Sequence, residues 1–329
     1  MTKYWFLSTQ YRYRAKFTLA VIALTFCVIM LGAYTRLTDA GLSCPDWPHC
    51  YGYLTAPHTE ADVLAANAKF PSAPVETKKA WTEMIHRYFA GTLGLLMLVI
   101  SGSLLFTRRA KDAKTYLIAV GLLCLLGVQI MLGMLTVTEK LKPIIVTSHL
   151  LTGISLLLLL WWAYADLQLR DDFFVKRTPH RLTPWLALGF IIVLSQIALG
   201  GWVSTHYAGL ACVDLPFCNN MLLPLLHLDQ LNSDLVTIHM LHRLGAVVTA
   251  LYVGALSFYL ISQRTFRAIG TLMLSLLLLQ LTLGILNILW LRPISLAMLH
   301  HGVAILLLLT VMTALIKACI QLREKHYAS

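Results

Sequence analysis

Glu83, His86 and Arg87 stand together in the run TEMIHRYFAGTLGLLM, where polar sequence passes into apolar sequence. A carboxyl, an imidazole and a guanidinium are costly to place beside lipid, and such groups are kept for a task. Glu83 and His86 lie three residues apart, so they project from one helix face a turn apart. The arrangement returns at IHMLHRL, where His239, His242 and Arg243 take the same three places. The chemistry open to these types is proton transfer at the carboxyl, proton transfer or metal ligation at the imidazole, and anion pairing at the guanidinium. The first place holds Glu83 in one copy and His239 in the other, which suggests that one copy reacts and the other binds.

Two further histidines share this setting. His149 lies in IIVTSHLLTG and His300 in MLHHG, each near the outer end of an apolar stretch. An isolated buried histidine is more commonly a core or helix-end residue than a ligand. Four at one depth and at repeated positions read differently, because facing imidazoles from two helices of a bundle are a usual way to hold a haem iron. The repeat pairs His86 with His149 and His242 with His300. Zinc would need a closed tetrahedral set, and no such set is compact in this sequence. His301 points about 100° away from His300 on a helix and is left unassigned, as is the role of His239.

The elements that position these groups are membrane spans. The chain has 329 residues, 58% hydrophobic and 12% charged, with a mean hydropathy of +0.72. A water-soluble domain of this size is excluded by that composition. Eight stretches reach spanning length, near 16–36, 84–106, 115–137, 144–165, 185–205, 236–261, 268–290 and 294–317. Those boundaries put His86 about four residues into its helix, or roughly 6 Å. The first stretch lacks a small-residue cleavage site and reads as an uncleaved anchor.

The formal net charge of +11 does not point to nucleic acid. With the N-terminus inside, 17 of the 26 Lys and Arg fall in the inner segments, and the outer loop 206–234 has none. The positive-inside rule then makes both termini cytoplasmic, in an inner (plasma) membrane whose anionic lipid meets the basic face.

The chain also repeats itself. GAYTRLTDAGLSCPDWPHC is matched by LGGWVSTHYAGLACVDLPFC, the His-Arg pairs match, LGVQIMLGMLTV is matched by LLQLTLGILNILW, and TSHLLTG is matched by MLHHGVA. The fold expected is all-α and polytopic, eight transmembrane helices forming two pseudo-symmetric four-helix bundles. Four spans per half give both halves one orientation. The N-terminal half covers 1–165 with a long outer loop at 37–82 and a short helix through ADVLAANAK. A charged linker at 166–184 follows, then a C-terminal half at 185–329. Cys44 with Cys50, and Cys212 with Cys218, fall at one spacing in matching outer loops, where an oxidising compartment permits a disulfide. Structural staple and redox-active pair both stand open. Cys27, Cys124 and Cys319 read as packing residues.

Together TRLTDAGLSCPDWPHCYG, EMIHR, QIMLG, VTSHL, SQIALGGWV, AGLACVDLPFC, MLHR, LTLGILN and MLHHG make the chain similar over nearly its whole length to the haem A synthase family. These are membrane enzymes that convert haem O to haem A for cytochrome oxidase. The resemblance implies a b-type haem on His242 and His300, and haem O as substrate flanked by His86 and His149. It implies Arg87 and Arg243 facing propionates, and Glu83 as the acid needed for activity, while His239 stands where an amide or another polar residue is expected. It further implies oxidation of the haem O C8 methyl to a formyl group by successive hydroxylations. A haem O-producing farnesyltransferase and an unidentified electron-transfer protein are the implied partners, and self-association as a homo-oligomer is left open. Two other readings remain: a dihaem b-type electron-transfer cytochrome, and a haem transporter. The Glu83/His239 difference and the long first loop favour the enzyme.

Overall fold

The computed structural model describes residues 2–106, 113–169 and 181–319. Among them the chain is helical: α1 (Thr2–Leu37), α2 (Glu60–Lys69), α3 (Thr77–Leu105), α4 (Ala113–Thr138), α5 (Pro143–Leu169), α6 (Thr183–Thr205), α7 (Leu235–Ser262), α8 (Arg267–Leu289) and α9 (Ile294–Cys319). All but α2 are long and apolar enough to cross a membrane, giving eight spans. Helices are what such sequences must form there, because lipid offers the backbone no hydrogen-bond partner. The spans leave bulky apolar side chains on their outer surfaces, Leu95, Leu117 and Leu251 among them. Cys27, Cys124 and Cys319 are exposed on the helices rather than packed inside as expected; a small apolar thiol suits a lipid-facing surface as well as a core.

The described residues form two compact units, one within Thr9–Ala163 and one from Tyr164 onward that also takes the start of α1 up to Ser8. In the second unit α6 packs on α7 and α9, and α8 on α7 and α9, which closes a ring of four spans. In the first, α3 packs on α4, Gly32 of α1 meets α3, Gly133 of α4 meets α5, and Gly153 of α5 meets both Ile29 of α1 and Gln129 of α4. Residues 170–180 of the linker expected at 166–184, the basic turn at 107–112 and the tail from 320 lie outside the described residues.

The two units match in backbone detail. The α4–α5 turn carries Lys140 and Leu141 at φ 50° and 56°, and the α8–α9 turn carries Leu291 and Arg292 at φ 55° and 58°. In each, the second of these amides reaches back to the helix, Leu141 N–H to Thr136 O at 2.8 Å and Arg292 N–H to Asn287 O at 2.6 Å. That pattern satisfies carbonyls at a helix C-terminus that would otherwise have no partner. Both cysteine loops contain a cis X-Pro bond, at Pro48 and Pro216, and an isolated bridge, Cys50 with Tyr53 and Cys218 with Met221.

Two helix starts differ from the sequence expectation, that of α1, at Thr2 rather than near 16, and that of α3. Helix α3 starts at Thr77, seven residues before the apolar stretch, so His86 stands about two and a half turns inside the helix rather than near its end. Lys78, Lys79 and Thr82 make that first segment polar, which hides it from a hydropathy reading. The long first loop is ordered: α2, N-capped by Thr59, packs Ala66 against Cys44, Cys50, Tyr51, Ala80 and Met84, with Phe70 and Trp81 at the margin.

Candidate functional site

Each of the four histidines rests on a glycine of a neighbouring span. A Cβ added at Gly32 would lie 3.0 Å from His86 Cε1, and one at Gly200 would lie 3.1 Å from His242 Cε1. At Gly133 and Gly284 the same distance, to His149 and His300, is 3.2 Å. No side chain larger than hydrogen fits these four places without moving an imidazole. His242 and His300 come together with ring centroids 6.5 Å apart and planes 78° apart. His149 lies within electrostatic range of His86.

Three of the rings also meet a glutamine amide. Gln129 Nε2 lies 3.4 Å from His149 Nε2, and Gln280 Nε2 lies 3.2 Å from His300 Nε2. Gln196 Nε2 lies 3.0 Å from His242 Nδ1 and donates to the His242 carbonyl at 2.9 Å. The glutamine and glycine sit four residues apart on one helix face in QIMLG, QIALG and QLTLG, so one short motif supplies both. Read for that spacing, the sequence would have revealed Gln196, Gln280, Gly200 and Gly284, which attention to the histidines alone passes over. The first span reads VIMLG and has Val28 in the glutamine's place.

Glu83 and Arg87 hold the first cysteine loop. Cys44 and Cys50 are joined in a disulfide, as are Cys212 and Cys218. Cys44 N–H donates to Glu83 Oε2 at 2.9 Å, and Arg87 Nη2 pairs with Glu83 Oε1 at 2.6 Å. The same guanidinium donates through Nη1 to the carbonyls of Asp46, Pro48 and His49, at 3.1, 3.2 and 2.7 Å. Burial, together with the carboxylates of Glu83, Asp46 and Glu76, pushes the Tyr51 phenol above its ordinary range. Asp46 in turn accepts from the backbone N–H of Tyr51 and Gly52 at 2.6 and 2.7 Å.

The second half reproduces the clamp with His239 in place of Glu83. Arg243 donates to the carbonyls of Asp214, Phe217 and Cys212, at 3.0, 3.0 and 2.6 Å. Cys212 N–H approaches His239 Nδ1 and Arg243 Nε approaches His239 Nε2, each at 3.3 Å. A neutral imidazole accepts at one nitrogen only, so one of these two contacts is a hydrogen bond at a time. His301 is partly buried, with Nε2 enclosed and unpartnered.

Eight apolar helices in two units, each with two imidazoles set on glycines and a clamped cysteine loop, define a polytopic membrane protein with the same side-chain arrangement in both halves. The chain belongs to the cytochrome oxidase assembly protein family, whose profile matches residues 15–312. It is 40% identical over 309 residues to the haem A synthase of Shewanella oneidensis, covering 89% of this chain and 92% of that protein. It is 29% identical to the haem A synthase of Ehrlichia canis, over 85% and 86% of the two chains. With the haem A synthase of Brucella ovis the identity is 26%, over 88% and 87%.

Proposed function

We propose that this protein is a haem A synthase that oxidises the C8 methyl of haem O to a formyl group by successive hydroxylations. In this reading haem O is the substrate of the N-terminal half, at His86 and His149, and a resident haem b is held in the C-terminal half by His242 and His300. The observation that carries it is the facing pair His242 and His300. An imidazole–metal bond is about 2 Å long, so two rings on one metal place their centroids roughly 6 Å apart, close to the 6.5 Å seen here.

The residues fit a haem on further grounds. Nδ1 of His86, His149 and His300 is buried without a hydrogen-bond partner, as are the amide oxygens of Gln129, Gln196 and Gln280. Buried polar atoms left without partners are costly and call for an explanation. A metal on one ring nitrogen, with each amide turned over so that its oxygen rather than its nitrogen meets the proton on the other, would satisfy both kinds of atom. Among the described residues no three His, Cys, Asp or Glu gather as a protein-only metal cage, and a porphyrin, which brings its own equatorial nitrogens, asks the chain for two ligands only. When bound, the haem iron supplies the redox chemistry that no side chain provides.

The chain's own residues then divide the work. Glycines 32, 133, 200 and 284 give the rings room and set their tilt. Glu83 holds or moves a proton; the Cys44 N–H and Arg87 keep its carboxyl in one orientation. Arg87 and Arg243, with several N–H groups on loop carbonyls, are the cations nearest in sequence to the ligands and would meet propionates there. Both termini are cytoplasmic in an inner membrane, and the disulfide loops lie on the outer side. Haem O would come from a haem O-producing farnesyltransferase, and electrons would leave to a separate protein.

The test is pigment analysis. Haems are extracted from membranes that co-express the chain with a haem O-producing farnesyltransferase, for wild type and Glu83→Gln. Haem A or its hydroxymethyl precursor in wild type, absent or stalled in the variant, is the expected result. Haems B and O alone in both samples, from folded and haem-loaded protein, would overturn it and leave a dihaem electron-transfer cytochrome as the better reading.

A further inference from the structure

The glutamine–glycine motif is present on three of the four spans that face a proposed iron ligand and broken on the fourth. Gln196 sits against His242 through its ring nitrogen and its carbonyl at once. It fits because residue 245 is glycine: a Cβ there would lie 2.2 Å from Gln196 Oε1. In the N-terminal half the matching positions are Val28, buried and apolar, and Phe89, three residues beyond His86 as Gly245 is three beyond His242. His86 therefore has its glycine support but no amide, and its Nδ1 is buried without a partner.

We propose that Gln196 is a positioning residue that makes the C-terminal site retain its haem, and that Val28 in the same place leaves the N-terminal site able to release one. The inference rests on the haem reading given above. An imidazole that binds iron through one nitrogen carries a proton on the other and needs an acceptor for it. Such an acceptor fixes the ring and strengthens the ligand, and its loss lowers affinity about 10–100-fold in typical metal sites. Gln196 turns its amide nitrogen to His242 Nδ1, and its oxygen is enclosed and unpartnered; turned over about its last bond, the amide would bring that oxygen to Nδ1 and supply the acceptor to a metal-bound His242. A valine methyl cannot. In the C-terminal half both ligands then have an amide, His242 from Gln196 and His300 from Gln280; in the N-terminal half only His149 has one, from Gln129. A cofactor site gains from slow release, whereas a site that binds a substrate and discharges a product of nearly the same shape cannot be equally retentive.

The full-length protein in detergent, loaded with haem b, is mixed with excess apomyoglobin, and transfer is followed in the Soret band. Wild type is expected to lose haem in a fast and a slow phase, with the slow phase missing in His242→Ala. Gln196→Val should speed the slow phase by roughly 10–100-fold. Gln196→Glu, which keeps an acceptor oxygen, should restore slow release and alter the low-spin EPR signal, a change that a purely structural role would not produce. Val28→Gln combined with Phe89→Gly should slow the fast phase. A slow phase unchanged in folded Gln196→Val overturns the proposal while leaving the haem reading intact. If Gln196→Val does not fold, the Val28→Gln, Phe89→Gly variant decides, and an unchanged fast phase overturns the proposal. Wild type that takes up no haem at all overturns the haem reading first, and the inference with it.

Discussion

The N-terminal part of α3 meets its cysteine loop through a carboxylate and a guanidinium; the N-terminal part of α7 meets the matching loop through an imidazole and a guanidinium. The Cys44 and Cys212 N–H groups correspond, as do two of the three loop carbonyls that each arginine holds, Asp46 with Asp214 and His49 with Phe217; the third is Pro48 in one half and Cys212 in the other. Glu83 can accept from the backbone and from Arg87 together, since a carboxylate has two oxygens and several lone pairs. His239 can serve one at a time. The first loop is also the better packed, with α2 closing over its disulfide, while the second gathers Cys212, Cys218 and Met240 with Leu226 and Val236. A duplicated scaffold has therefore kept much of its geometry and separated its chemistry: the carboxylate–guanidinium clamp lies beside His86, which lacks an amide, and the imidazole–guanidinium clamp lies beside His242, which has one.

The comparison breaks most visibly at its chemical difference. Glu83→Gln should lower haem O conversion by roughly 10²–10⁴-fold, the usual range for a proton-transfer group, whereas His239→Gln, whose amide still accepts from Cys212 N–H, should stay near wild type. Equal losses, measured per folded and haem-loaded protein, would remove the distinction. The loops come next. Replacing both cysteines of a pair by serine frees a short ring and should cost about 2 kcal/mol in either half. The effect on local order should differ: limited proteolysis is expected to open loop 206–234 of Cys212→Ser, Cys218→Ser, while the α2 cluster protects the first loop of Cys44→Ser, Cys50→Ser. Similar cleavage in both would deny the packing difference.

A third comparison concerns the glycines. Gly200→Ala and Gly32→Ala force a methyl against an imidazole and should cost about 1–3 kcal/mol, with haem content reduced. Gly91→Ala, which would meet nothing within 4 Å, should be neutral or gain up to about 1 kcal/mol from better helix propensity. Thermal melting in detergent, with the haem absorbance as a second probe, separates these outcomes. The smallest effect is at the helix starts. Asp234 caps α7 by accepting from Val236 N–H, and its bond from Thr237 Oγ1 holds its carboxyl below the usual range. Its contribution is present above the unfolded carboxyl range and fades as pH falls through the lowered folded value. Asp234→Ala should cost about 1 kcal/mol and flatten that acid-side slope; α3, whose N-cap Glu76 makes no side-chain cap bond, should show no such loss in Glu76→Ala.

Much of this protein was legible before any coordinates. Continuous apolar runs can only be helices in lipid, so the eight spans came within a few residues of their observed limits, except at α3, whose polar first turns carry no hydropathy signal. The histidines were visible because imidazoles stand out in apolar sequence, and the repeat because AGL, Cys and His-Arg recur in order. Glutamine and glycine attract less notice. Their meaning depends on which neighbouring helix they face, and the spacing that links them is informative only once the imidazole is seen between them.

The amino-acid sequence by itself determined the class of the molecule, its duplication and the placing of its four histidines in apolar helices, because these follow from solvent preference and chemical type. Tertiary structure decided that Glu83 and Arg87 clamp a loop 39 and 38 to 41 residues away, that the α2 segment closes over a disulfide, and that an amide supports His242 and not His86. Those outcomes depend on distances between groups remote in the chain. Local sequence sets the groups, and only the packing of helices brings them within hydrogen-bond range.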